Sequence, residues 1–168
     1  GLQILKEDIL ISTEHGPAGG DEINIIKKYK NYGWPIVSDG QPYNLKSPEK
    51  FKKKLNSNYE EPIFTFLRSV GISSIVLYDQ EKLSRWNQSF IVGTLKNRSI
   101  YRLKFKKNSE ETYTINGVEC IKIGQRIRKL RVNSGDLFMT TDEGKFLILK
   151  SYLNDYGMNY NGPDYSKL

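Results

Sequence analysis

The stretch of this sequence richest in possible chemistry runs over residues 14–24 and reads Glu-His-Gly-Pro-Ala-Gly-Gly-Asp-Glu-Ile-Asn. It is followed by Asn31-Tyr32-Gly33-Trp34-Pro35. Gly16-Pro17 and Gly19-Gly20 impose an irregular backbone whose carbonyls can converge on one point, and Asp21 and Glu22 follow at once. A loop of this kind can hold a hard cation with oxygen ligands; it serves equally well as a tight connection between strands. Asp21 and Glu22 are either solvated or bonded to nearby backbone amides. His15 is the single histidine, and is either a general base or a pocket-lining, loop-bonding residue. Arg126 and Arg128 stand two apart, so on a strand both project to one side, where they clamp an anion or remain in solvent. Cys120 is the single cysteine, which excludes an intrachain disulfide and a multi-cysteine zinc site. Its neighbours Val118 and Ile121 suggest a small core residue rather than a nucleophile. Trp34 and Trp86 read as packing anchors, with Trp34 the nearer to the glycine loop.

The elements that must carry these residues are short strands separated by turns. Strands are expected at Ile9–Thr13, Ile23–Ile26, Gly71–Tyr78, Ser89–Leu95 and Ser99–Phe105, the last with apolar and polar residues alternating. Glu111–Ile115 alternates in the same way and runs into Asn116-Gly117, a hairpin signal. Arg128–Val132, Leu137–Thr141 and Lys145–Leu149 are further strands, divided by turns at residues 133–136 and 142–144. Ser47-Pro48-Glu49 reads as the start of one short helix reaching about Leu55. Many short antiparallel strands indicate a sandwich, barrel or propeller. Four strands between Gly71 and about Cys120 match the length of one propeller blade, since such repeats run to about 40–50 residues. Residues 154–168 read as an extended or disordered tail, leaving residues 1–153 as the folded part.

Composition sets outer limits. The chain has 168 residues, 26 of them basic and 19 acidic, for a net charge of +7. The lysines are spread out, and the densest run, Lys50 to Lys54, holds no arginine, which argues against a nucleic-acid surface. No apolar stretch approaches the roughly 20 residues of a membrane helix. Lys6, Glu7 and Asp8 make Gly1–Leu10 unlike a signal peptide.

The glycine-loop string, with Asn31-Tyr32-Gly33-Trp34-Pro35, resembles the signature of the glucose/sorbosone dehydrogenase family, the soluble pyrroloquinoline quinone (PQQ)-dependent aldose dehydrogenases. The resemblance recurs in order downstream: Ile91-Val92-Gly93-Thr94-Leu95-Lys96, Ile100-Tyr101-Arg102-Leu103, Gly124-Gln125-Arg126-Ile127-Arg128, and Asp136-Leu137-Phe138 to Asp142. It covers about residues 8–150. The fold it implies is all-β, a six-bladed β-propeller of which about three blades, the C-terminal portion, are present.

The resemblance also implies roles. Main-chain carbonyls of Gly16 and Pro17 would hold calcium against PQQ. Lys96, Arg126 and Arg128 would meet the carboxylates of the cofactor, with His15 adjoining it. Glu22 and the region of Tyr32 match a second, structural calcium site found in some members. The substrate would be an aldose sugar and the location periplasmic or secreted. Two departures stand out. The family's Pro-Ser-Ile-Ala-Pro-Ser-Gly is here Arg68-Ser69-Val70-Gly71-Ile72-Ser73-Ser74, without either proline. The family's catalytic histidine and an Arg-Asn pair that helps bind the quinone have no counterpart, because His15 is the only histidine and Arg68 is the first arginine. The expectation is therefore a fragment with no catalytic base of its own and little turnover. Its missing half would be supplied by an N-terminal portion or replaced by a second copy in a homodimer that closes the ring. A non-enzymatic propeller-type binding module is the alternative.

Overall fold

The structure, a computed structural model, describes residues 1–5, 9–44, 58–108 and 113–150. The expected helix near residues 47–55, the lysine run and the tail at 154–168 lie outside the described residues.

Among the described residues, eleven strands form three antiparallel sheets, each a simple meander. The first holds β1 (Leu2–Ile4), β2 (Leu10–Glu14), β3 (Asp21–Ile26) and β4 (Phe64–Phe66); the second holds β5 (Ile72–Tyr78), β6 (Ser89–Thr94), β7 (Ser99–Lys107) and β8 (Tyr113–Lys122). The third holds β9 (Ile127–Asn133), β10 (Asp136–Thr141) and β11 (Phe146–Leu149). A single 3-10 turn, Ser84–Trp86, interrupts the β5–β6 connection. The strands at β1 and β4 escape a sequence reading because three residues are too few to display a period of two.

The sheets stack face to face in chain order, and residue alternation explains why. In β6, Phe90 and Val92 point into the core shared with the first sheet, and Ile91 into the core shared with the third. In β7, Leu103 faces the first core and Ile100 the second. The middle sheet is thus covered on both faces, and all six residues of β6 are buried. That is why Phe90-Ile91-Val92 at its centre is a continuous apolar run rather than an alternating one. β8, at the edge of the same sheet, alternates half-buried with exposed positions over much of its length.

Asn116-Gly117 does not form a turn. β8 runs through it unbroken, Lys104 pairing with Gly117 and Phe105 with Ile115, so that Asn116 is the extra residue of a β-bulge. The pairing partner β7 was already supplied by the preceding connection, and the local turn signal became a bend in a long strand. A true tight turn occurs at Ser134-Gly135, where both residues have positive φ (48° and 77°) between the paired Asn133 and Asp136. This is the two-residue geometry suited to strand twist.

Polar links tie the sheets together at a second irregularity. The register of β5 against β6 shifts between Ile72 and Ile75. Within that shift Ser73 Oγ donates to Ile127 O (2.6 Å), and Ser74 Oγ accepts from Leu130 N (3.2 Å), both in the third sheet. Ser73 O accepts from Thr13 Oγ1 in the first sheet (3.3 Å). Tyr78 is fully buried, and its hydroxyl donates to Gly135 O (2.6 Å).

Gly93 marks a close approach of the second and third sheets. A Cβ there would lie 2.8 Å from Ile127 Cγ2 and 3.1 Å from Ser73 Oγ. Gly93→Ala should therefore force the sheets apart and destabilise the fold by about 1–3 kcal/mol, as overpacking does. Thermal unfolding of the two proteins checks this, and an unchanged midpoint would refute it.

Candidate cofactor and metal site

The glycine loop owes its shape to Asp21. This residue opens β3 and is fully buried. Its Oδ1 accepts from Gly16 N (3.0 Å), and its Oδ2 accepts from Val70 N (2.9 Å), Gly71 N (2.7 Å) and Ile72 N (3.4 Å). Of the two possibilities open for Asp21 in the sequence, bonding to backbone amides is the one realised. The loop is compact enough to require glycine: a Cβ on Gly16 would lie 1.9 Å from Gly19 O and 2.4 Å from Gly20 O. Pro17 is buried beside it, and its ring leaves no room for a side chain at Gly40.

The Val70-Gly71 segment that Asp21 holds also fixes the β6–β7 hairpin. Val70 O accepts from the amides of Lys96 and Asn97, both at 3.1 Å, and Gly71 O accepts from Leu95 N (2.8 Å). Lys96 is exposed. It lines an open cleft of about 600 Å³ together with Ala18, Arg68, Val70, Asn97 and Tyr101. Arg68, which replaces one proline of the family pattern, thus sits in that cleft. Ile72, which replaces the other, is 1% exposed and belongs to the core. The Tyr101 hydroxyl accepts from Asn97 Nδ2. Burial, reinforced by the neighbouring Cys120 thiol, pushes its pKa up to about 12, so it remains a neutral hydroxyl on the cleft wall at ordinary pH.

A second, smaller pocket of about 150 Å³ adjoins the loop and is lined by Glu14, His15, Gly16, Glu22, Tyr32 and Trp34 among others. Four of the residues singled out in the sequence, His15, Gly16, Glu22 and Tyr32, therefore meet here. Glu14 sits directly opposite Glu22 in the β2–β3 register. Asn24 Nδ2 donates to Glu14 Oε1 and Glu22 Oε2, each at 3.1 Å, and Ser12 Oγ donates to Glu14 Oε1 (2.8 Å). Asn24 is fully buried, yet its Oδ1 has no hydrogen-bond partner among the described residues. Glu14 and Glu22 both line this pocket, and carboxylate oxygens are donors of the kind a hard cation takes. The Tyr32 hydroxyl donates to Ile25 O and accepts from Lys27 N, both at 2.7 Å. Its phenol thus fastens the end of β3. No group of three or more His, Cys, Asp and Glu side chains placed to hold a metal occurs among the described residues.

His15 is 57% exposed in its side chain, and its Nδ1 lies 4.0 Å from Asp21 Oδ1, beyond hydrogen-bond reach. Trp86 packs edge-on against Tyr78 (centroids 6.1 Å apart) as an anchor, whereas Trp34 is 62% exposed on the wall of the small pocket. Cys120 is exposed as well: β8 is an edge strand, and the apolar neighbours of this residue do not place it in the core.

Arg126 and Arg128 do act as a pair. The Nε atoms donate to the two oxygens of Asp142, Arg126 to Oδ2 at 2.7 Å and Arg128 to Oδ1 at 2.6 Å. Asp142 lies in the β10–β11 turn and was not paired with them from sequence. Glu14 and Asn24 were likewise missed as partners of Glu22. The available signal was the spacing of Glu22 and Asn24, two apart on one strand, and the mirror position of Glu14 across the loop.

Three antiparallel meanders stacked through both faces of the middle sheet, with polar sites at the loops between them, define three blades of a β-propeller. The profile of the family described as Glucose / Sorbosone dehydrogenase matches residues 1–150, and the chain belongs to that family. It is 37% identical over 140 residues to "Aldose sugar dehydrogenase YliI" of Escherichia coli K12, covering 82% of this chain and 37% of that protein. A crystal structure of glucose dehydrogenase superposes with a TM-score of 0.79 at 31% identity, over 92% of this chain and 44% of that one. The PQQ-bound form of aldose sugar dehydrogenase from Streptomyces coelicolor shares the fold, with a TM-score of 0.65 at 19% identity over 89% of this chain and 42% of its own. The chain therefore spans less than half the length of these relatives.

The hydrogen bonds from Arg126, and then from Arg128, hold the Asp142 carboxyl below its usual range. A carboxyl depressed by folding contributes stability that is present above its unfolded pKa and is lost as pH falls through the lower, folded value. Acid titration followed by NMR at the Asp142 carboxyl should give a midpoint below those of unpaired aspartates. Arg126→Ala together with Arg128→Ala should return it upward, and an unchanged midpoint in that double variant would contradict the pairing.

Proposed function

We propose that this chain forms part of a PQQ- and calcium-dependent aldose sugar dehydrogenase, contributing the metal-binding loop and carboxylate-binding cations of its cofactor site. The observation that carries this reading is the single hydrogen-bonded unit formed by the Gly16-Pro17 loop, Asp21 and the Val70-Gly71 segment that holds Lys96. The donor chemistry fits both groups. The loop offers main-chain carbonyls to a hard cation without needing a side-chain charge. Lys96, Arg126 and Arg128 offer positive charge to a cofactor bearing several carboxylates. Asp142 offsets part of the charge of the arginine pair and fixes its direction. His15 lines the approach to the loop. Glu14 and Glu22 would bind a second, structural calcium, with Tyr32 contributing through its main chain because its phenol is already engaged.

Held by the Gly16-Pro17 loop and by Lys96, Arg126 and Arg128, calcium and PQQ would supply a polarising charge and a hydride acceptor for oxidation at an anomeric carbon. The proton of the anomeric hydroxyl needs a base, and His15, the only imidazole of this chain, adjoins the loop in the role of pocket lining. The base belongs to the portion of the ring that this chain does not contain, so turnover by the chain alone should be negligible. A periplasmic or secreted location accords with this reading. No helix among the described residues is long and apolar enough to cross a membrane.

The remaining partner is suggested by the third sheet. β11 pairs only with β10 among the described strands, and Phe146 and Ile148 are 63% and 43% exposed there. Such an edge invites another strand, from the rest of a longer chain or from a second copy. Sedimentation of the chain at micromolar concentration distinguishes a dimer from a monomer.

Adding PQQ with calcium should raise the melting temperature, by about 5–10 °C at concentrations near 100 times the Kd. Lys96→Ala and Arg128→Ala should each reduce the rise. Glucose with an artificial electron acceptor should show no oxidation. An unchanged melting temperature in the unaltered chain would favour a non-enzymatic binding module.

A further inference from the structure

Asp21 faces two ways. Its Oδ1 takes the amide of Gly16 in the first blade, and its Oδ2 takes the amides of Val70 and Gly71 in the connection to the second. Beyond that connection the chain of bonds continues, because Val70 O receives the amides of Lys96 and Asn97. The metal-loop backbone and the Lys96 backbone are therefore joined across the blade boundary through one carboxylate, over sequence separations that no local element spans. The backbones on the two sides of the link also approach closely, so that only glycine fits there. Gly71 has φ of +65°, and a Cβ there would lie 2.9 Å from Lys96 N; a Cβ on Gly19 would lie 2.4 Å from Leu67 O.

We infer that Asp21 is a positioning residue that registers the Gly16-Pro17 carbonyls against Lys96, so that the cation-binding and anion-binding halves of the site behave as one body. This rests on the cofactor reading given above. A residue that merely stabilised the first blade would protect its own contacts and nothing beyond them.

Backbone amide exchange, read by NMR on the full 168-residue chain, separates the two roles. Asp21→Asn keeps the shape and replaces one acceptor oxygen by a donor. Exchange should quicken about tenfold or more at Gly16, Val70 and Gly71, and also at Lys96 and Asn97, which Asp21 does not touch. Ile91 and Ile100 within the second blade should keep their rates. Gly71→Ala, which disturbs the link from the other side, should quicken exchange at Gly16. Ile23→Val, a core change on the same strand as Asp21, should leave Gly16, Lys96 and Asn97 unaffected. An Asp21→Asn effect confined to residues 16 and 70–72, or spread evenly over the molecule, would overturn the inference. If that variant does not fold, an unchanged Gly16 rate in Gly71→Ala overturns it instead. Titration with terbium, a luminescent hard-cation probe, should show binding to the unaltered chain weakened about tenfold in Asp21→Asn. Failure of the unaltered chain to bind terbium would count against the cofactor reading, while the exchange rates still decide whether Asp21 couples the two segments.

Discussion

A buried carboxylate must be compensated, and the way Asp21 is compensated organises the molecule around it. Its side chain is removed from water and its oxygens are met by backbone amides from residues 16 and 70–72. Each hydrogen bond to a charged group is worth about 1.5–3 kcal/mol, and together they offset the loss of hydration. Because the donors belong to two blades, satisfying one charge also fixes the path of the chain between them. The glycine loop cannot open without stripping Asp21 of a donor, and the Val70-Gly71 segment cannot rotate without doing the same.

Around this point the blades behave as layers rather than as independent units. The inner strands of the middle sheet are covered on both faces, and the alternation of Phe90, Ile91 and Val92 sends neighbouring residues into different cores. Hydroxyls of Ser73 and Ser74 reach the third sheet from the register shift in β5. Irregularities in the strands are thus the places where sheets exchange polar contacts, while the regular portions supply apolar faces. The same layering leaves an outer sheet of three strands in which, among the described residues, β11 pairs on one side only.

Charge is distributed with similar economy. Lys96 projects into an open cleft beside Arg68, whereas Arg126 and Arg128 share Asp142. The first pair presents undirected positive charge. The second is a guanidinium pair whose orientation is set by Asp142, because each Nε is engaged with one of its oxygens.

The sequence by itself determined the all-β class, most strand positions, the family, and the identity of the residues gathered near the loop. Apolar alternation and the glycine-loop string are local properties, and local properties can be read from neighbours in the chain. Only the tertiary structure decided that Asn116-Gly117 is a bulge, that Cys120 and Trp34 are exposed, that Glu14 and Asn24 join Glu22, and that Asp142 joins the two arginines. Each of these depends on which strand lies alongside or which face is covered. Asp21 makes the difference plain. Its neighbours in the sequence allowed either solvation or amide bonding, and the amides that settled the matter came from residues 70–72, brought to it by the packing of one blade on the next.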